Sequence, residues 1–173
     1  LTRFSDIEYS VVGFMHQAEE VEKNGYSGVV LACFGDPALE AMRERLHIPV
    51  IGVGQAALAM ANLLGHKFSI LSPQRGFSVA THNMVAINGY LDQLASIRTY
   101  ASPGELSPTA IQRIACGKIP VNDSDIDKAI DEVVKAGISA IENDGATSLI
   151  FGCVGMSWMA QAAQDSLVKK GYA

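Results

Sequence analysis

Apolar positions recur along the chain in two alternating rhythms. Val11, Met15, Ala18 and Val21 repeat at helical spacing; Ser10 is placed to cap that helix, and Gly25 stands just past its end. Residues 28–33, GVVLAC, form the short β-branched run of a strand buried in a parallel sheet. Asp36-Pro37 then reads as an N-cap followed by proline at the first helical position, which predicts a helix to about Leu46. Pro49 opens a second strand, PVIGV; QAALAMANLLG has helical composition and ends on Gly65; KFSILS is a third strand. A helix over 78–88, a strand in ASIRTY, a loop in SPGELSP and a short helix over 109–116 follow. The longest helical pattern keeps Ile126, Ile130, Val133, Val134, Ile138 and Ile141 on one face, from near Asn122 to a stop near Gly145. TSLIFGC is the last strand, and Ser157 caps a final helix that ends at Gly171.

Short strands alternating with helices predict an α/β fold with mostly parallel sheets, whose functional groups gather at the carboxyl ends of the strands. At 173 residues and 49% hydrophobic content, the chain can bury a core as one domain or as two small lobes that change over near 62–66. Charge narrows the partners. The net charge is −5 with scattered Lys and Arg, which leaves no electrostatic footprint for nucleic acid or an anionic membrane. No apolar run approaches the roughly 18 residues of a membrane span, and no leader pattern opens the chain, so a soluble, cytoplasmic protein is expected. The first residue is Leu1 and the last stretch is LVKKGYA, which together read as an internal stretch of a longer chain.

Cys33, Cys116 and Cys153 are an odd number of thiols without a C-x-x-C pair, and are expected to be reduced. Two of them stand in a repeat. VVLACFG (29–35) matches SLIFGCVG (148–155): an apolar strand, a small residue, Cys, any residue, Gly, and then a helix start. Amides at a helix N-terminus stabilise an anion and can lower a cysteine pKa, and the glycine lets the backbone approach a ligand and offer N–H donors. A single such cysteine reads rather as a small buried hydrophobe. Two at matching turns point instead to functional thiols, which meet across one cleft if two pseudo-symmetric lobes face each other. Cys116 has no repeat partner and is read as structural. His16, His47, His66 and His82 fall into no ligand spacing, so no metal is expected. GVGQAAL lacks G-x-G-x-x-G and any Walker Lys-Ser/Thr, and WMAQAAQ around Trp158 reads as core or interface packing.

ACFGDP, then IPVIGVGQAAL and LGHKFSILSP, then FGCVGMS, resemble the hydantoin and allantoin racemase branch of the aspartate/glutamate racemase superfamily over nearly the whole chain. The amino-acid racemases of that superfamily carry Asn-Thr after the first cysteine and Thr-His after the second. Phe34-Gly35 and Val154-Gly155 stand there instead, which places the chain nearer the hydantoin branch. The resemblance implies two pseudo-symmetric α/β lobes with the active site between them, here 1–64, without its usual N-terminal strand, and 65–173. It implies a racemase without a cofactor, with Cys33 and Cys153 as the two acid/base residues. Phe34, Gly35, Val154 and Gly155 are the candidate amide donors to substrate, and Ser72 is a further substrate-binding candidate. Asp36 reads as a helix cap. The implied partner is a small molecule, namely a hydantoin, allantoin or an amino acid, and the protein is expected to assemble with copies of itself. On the same scaffold the alternatives are a maleate-type cis–trans isomerase, a decarboxylase, or a non-catalytic small-molecule binder.

Overall fold

The computed structural model describes residues 4–73, 75–100 and 123–172. The expected loop over 102–108, the expected helix over 109–116 and Cys116 lie outside the described residues.

The elements run α1 (Phe4–Lys23), β1 (Val29–Leu31), α2 (Leu39–Arg45), β2 (Val50–Gly52), α3 (Val53–Leu64), β3 (Phe68–Ser72), α4 (Ser78–Ile87), β4 (Leu94–Thr99), α5 (Asp123–Asp144), β5 (Ser148–Phe151) and α6 (Ala160–Lys169). Among the described residues every strand pair is parallel. β1 pairs with β2, and β3 lies between β4 and β5, so the strands form one two-stranded and one three-stranded sheet with helices packed against them. This is the expected α/β architecture.

Among the described residues, three apolar clusters hold it. Ala18, Leu31, Leu39, Met42, Leu46 and Val50 join α1 and α2 to the first sheet. Leu71, Ala129, Val133, Val134, Met156, Met159 and Ala163 seat α5 and α6 against the second. Between them, Leu58 and Ala61 of α3 pack with Phe68, Ile70, Val85 and Ile150, and Phe34 from the loop after β1 enters the same cluster. The last cluster decides the site, because it fixes the loop that carries Cys33 against the sheet that leads to Cys153.

The helix ends differ from the sequence expectation in instructive ways. α1 begins at Phe4, and Ser10 sits inside it with its hydroxyl donating to the Ile7 carbonyl at 2.7 Å, a local bond that a mid-helix serine finds as readily as a cap does. α2 begins at Leu39 with Ala38 before it in a left-handed conformation, so Asp36 does not cap that helix. Ser157 lies within the 3₁₀ turn Val154–Met159, and α6 starts after it. Gly65 does end α3, though with extended backbone. Glycine is required there because a Cβ would come within 2.6 Å of the Thr147 hydroxyl. Gly145 closes α5 with φ +72°, the left-handed stop expected of it.

Candidate active site

β1 stops at Leu31, and the chain turns over Cys33–Asp36, with the Asp36 amide donating to the Cys33 carbonyl at 3.0 Å. Phe34 in this turn is buried in the central cluster, so its ring is a packing group that anchors the loop. Asp36 adopts φ +44°, uncommon for a residue with a side chain, and the reason lies in its carboxylate. Oδ1 accepts from the Gly54 amide at 3.0 Å and Oδ2 from the Gln55 amide at 2.6 Å. Asp36 therefore is a helix cap, but for α3, eighteen residues on, rather than for the helix that follows it.

The glycines of IGVG make this approach possible. A Cβ on Gly52 would lie 2.6 Å from the Asp36 carboxylate, and one on Gly54 would lie 2.1 Å from the Phe34 carbonyl oxygen. Any side chain at Gly54 pushes the Cys33 turn away. The sequence offered these glycines only as an incomplete nucleotide-loop pattern, and their partner, the turn itself, becomes visible only in three dimensions. Around them Arg43 donates to Gln55 Oε1 at 2.7 Å and to the Val50 carbonyl at 3.2 Å, and Gln55 donates to Asn88 at 2.9 Å, tying α2, α3 and α4 together.

The second turn is built differently. Gly152 donates its amide to the Leu71 carbonyl at 2.8 Å, and a Cβ there would meet Ile70 Cγ2 at 3.0 Å and the Leu71 oxygen at 3.2 Å. β5 is thus held close to β3, and Ser72, fully buried at the end of β3, lies beside the chain that enters Cys153. Cys153 stands immediately before the 3₁₀ turn, and its carbonyl accepts from the Met156 amide at 3.0 Å. Met156 and Met159 of that turn are core residues, whereas Val154 and Trp158 are exposed.

Both thiols are part-buried and free. Each sulfur accepts a hydrogen bond from the amide two residues on, Gly35 for Cys33 and Gly155 for Cys153, and these bonds favour the thiolate. Burial outweighs them and pushes both thiols above the ordinary thiol range, which reverses the lowering expected from helix N-termini. The cause is positional. The amides opening α3 are spent on Asp36, α2 starts six residues after Cys33, and a 3₁₀ turn separates Cys153 from α6. The negative charge of Cys153 also raises Cys33, so the two turns lie close enough for one thiol to feel whether the other is ionised.

Tyr100 completes the surroundings of Cys153. The ring belongs to the cluster against which Cys153 packs, the hydroxyl is buried with no hydrogen-bond partner among the described residues, and burial followed by the charge of Cys153 holds the phenol protonated. Sequence reading passed over Tyr100 because a tyrosine at a strand end carries no signal until its neighbours are known. Among the described residues no cluster of His, Cys, Asp or Glu is arranged to hold a metal ion, and no helix is long and apolar enough to cross a membrane.

Comparison with known proteins gives one consistent result. The Asp/Glu/Hydantoin racemase family model matches residues 2–171. A hydantoin racemase of Paenarthrobacter aurescens is 33% identical over 156 residues, which are 88% of this chain and 60% of the relative, and one of Rhizobium meliloti is 28% identical over 94% of this chain and 61% of the relative. The chain thus spans about three-fifths of the length of these curated relatives. Among solved structures, allantoin racemase from Klebsiella pneumoniae superposes with a TM-score of 0.80 at 26% identity, covering 97% of this chain and 62% of that one. The Pseudomonas fluorescens allantoin racemase, at 19% identity and a TM-score of 0.74, shares the fold.

Proposed function

The chain belongs to the Asp/Glu/Hydantoin racemase family, and from that premise we propose that it racemises a small five-membered ring of the hydantoin or allantoin type, with Cys33 and Cys153 as paired acid and base and no cofactor. The observation that carries the reading is the pair of thiols at equivalent strand-to-loop turns, near enough to oppose each other's ionisation. The lobes 1–64 and 65–173 are proposed to meet at this pair.

One thiolate removes the proton from the stereogenic carbon, and the thiol opposite delivers its own proton to the other face. The C–H electron pair is held meanwhile as an enolate in the adjacent carbonyl. The first cysteine ends as a thiol and the second as a thiolate, so the opposite enantiomer is processed with the roles exchanged. Thiols suit this task because a base and an acid of one kind, facing each other, need differ only in which holds the proton. With the Gly35 and Gly155 amides turned to the sulfurs, the Phe34 and Val154 amides are the donors left for the enolate oxygen, and the Ser72 hydroxyl is a third candidate beside Cys153.

The test is incubation of single enantiomers of 5-substituted hydantoins, allantoin, aspartate and glutamate in D₂O. Loss of optical rotation with deuterium entering at the stereogenic carbon is the expected result for a hydantoin or for allantoin. Optical stability across the whole panel would remove the proposal, and reaction of the amino acids alone would move it to the other branch of the family.

A further inference from the structure

Apolar packing brings the loop after β1 against the second sheet, yet packing by itself does not fix the loop's distance from that sheet. Phe34 shares one cluster with Phe68, Ile70 and Ile150, and attraction of this kind is non-directional, so it tolerates a slide that a hydrogen bond does not. Directed links run through one side chain. Gln55, in the first turn of α3, meets partners from the Cys33 turn, from α2 and from the end of α4. Its backbone amide donates to Asp36 Oδ2 at 2.6 Å, its Oε1 accepts from Arg43 Nη2 at 2.7 Å, and its Nε2 donates to Asn88 Oδ1 at 2.9 Å.

The orientation of each side-chain amide is forced. A guanidinium has donors only, so Gln55 turns Oε1 to Arg43 and Nε2 to Asn88. The Met84 carbonyl accepts only, so Asn88 turns Nδ2 to it, at 2.8 Å, and is left with Oδ1 for Gln55. A glutamate at 55 or an aspartate at 88 would each lose one of these bonds, whereas glutamine and asparagine satisfy them all.

An unbroken line of contacts results. The Cys33 carbonyl accepts from the Asp36 amide at 3.0 Å, Asp36 accepts from Gln55, Gln55 donates to Asn88, and Asn88 donates to Met84 of α4. Met84 belongs to the cluster of Ile70 from β3 and Ile150 from β5, and the Gly152 amide just before Cys153 is held on the Leu71 carbonyl at 2.8 Å.

We propose that Gln55 is a positioning residue: as a polar strut between the Cys33 turn and α4, it sets the separation of Cys33 from Cys153. This rests on the two-thiol reading above. It deepens that reading, because taking a proton from one face of a ring and returning one to the other needs both sulfurs at a fixed span. A displacement of about 1 Å in such an arrangement can cost on the order of a hundredfold in rate.

The experiment treats the protein at alkaline pH with dibromobimane, each of whose bromomethyl arms loses bromide to a thiolate, and which bridges only sulfurs that face each other at short range. Peptide mass spectrometry then measures the Cys33–Cys153 bridge. Gln55→Glu keeps the size of the side chain, the bond to Arg43 and the backbone bond to Asp36, and removes only the donor to Asn88. It should slow bridging, and lower kcat for a 5-substituted hydantoin, by about tenfold each, with KM within about twofold of the unaltered value. Asn88→Asp keeps the acceptor for Gln55 and should stay within about twofold in both, whereas Asn88→Ala removes it and should fall as Gln55→Glu does. Bridging unmoved in folded Gln55→Glu, a rise in KM with kcat intact, or Asn88→Asp as impaired as Asn88→Ala overturns the assignment. Should circular dichroism show Gln55→Glu to be unfolded, the contrast between Asn88→Ala and Asn88→Asp decides. Failure of the two readings is distinguishable: no Cys33–Cys153 bridge in the unaltered protein removes the two-thiol reading, whereas a bridge that forms and ignores Gln55 removes only the strut.

Discussion

At the Cys33 turn the loop is fastened from outside: a carboxylate reaches across to cap α3, two glycines clear the path, and Phe34 is sunk into the central cluster. At the Cys153 turn the loop is fastened from within its own sheet, by the Gly152 amide on β3 and by Met156 and Met159 in the core behind it. Matching sequence patterns are therefore carried by unlike supports. A backbone turn that presents a sulfur and an amide is needed twice, whereas the means of holding it depend on what each sheet has beside it.

The comparison can be broken most directly by removing either sulfur. Cys33→Ser and Cys153→Ser are each expected to cut racemisation by roughly 10²- to 10⁴-fold, the usual worth of a positioned acid or base. Full rate in either variant would mean that the turns do not work as a pair. Next in size is the contrast between glycines. Gly54→Ala drives a methyl to 2.1 Å from the Phe34 carbonyl oxygen and should cost about 3 kcal/mol of stability, whereas Gly152→Ala meets the Ile70 Cγ2 methyl at 3.0 Å and the Leu71 carbonyl oxygen at 3.2 Å, looser contacts that should cost about 1 kcal/mol. Urea denaturation of the two variants checks the order, and equal costs would contradict the different supports.

Acid stability separates the halves further. Arg98 of β4 forms a bidentate pair with Asp144 at the end of α5, both bonds at 2.7 Å, and this holds the Asp144 carboxyl below the usual carboxylate range. A carboxyl depressed on folding contributes stability that is complete above its unfolded pKa and disappears as pH falls through the folded value. Asp144→Asn should therefore cost about 1 kcal/mol at neutral pH, after discounting for the partial exposure of Arg98, and nothing at the acid end. Melting temperatures measured from pH 7 down to pH 2 would show the difference closing.

The smallest effect is expected at Tyr100. Its buried hydroxyl has no partner among the described residues, so Tyr100→Phe should leave stability unchanged or raise it by up to about 1 kcal/mol. A loss of more than that in thermal denaturation would mean that the hydroxyl is bonded in solution. For the pair as a whole, burial raises both thiols, so kcat/KM should climb with pH until the first proton leaves, with its acid limb above the ordinary thiol range; a limb near neutrality would show the turn amides outweighing burial.

Periodicity alone located every described strand and most helix bodies. The run 68–72 and the helix over 123–144 follow the expected limits closely, since a strand buried on both faces and a helix with one apolar stripe are local patterns. The caps went astray at Ser10, Asp36 and Ser157 because a cap is defined by which orphan amide the side chain reaches. Asp36 reaches one that its neighbours in sequence do not name. The recurrence of small residue, Cys, any residue, Gly was legible as a repeat. That it marks two turns close enough to sense each other's charge follows from Phe34 packing with Phe68, Ile70 and Ile150.

By itself, then, the sequence determined the alternation of strand and helix, the placing of a thiol after each of two strands, and the glycines that follow them, because these depend on residues within a few positions of one another. Only the tertiary structure decided which glycines make room for which turn, which helix Asp36 caps, that burial rather than the helix dipole governs the thiols, and that the two cysteines have different neighbours. Those properties depend on contacts between segments up to about a hundred residues apart, where desolvation and close approach are set by packing, and packing leaves no period in the chain.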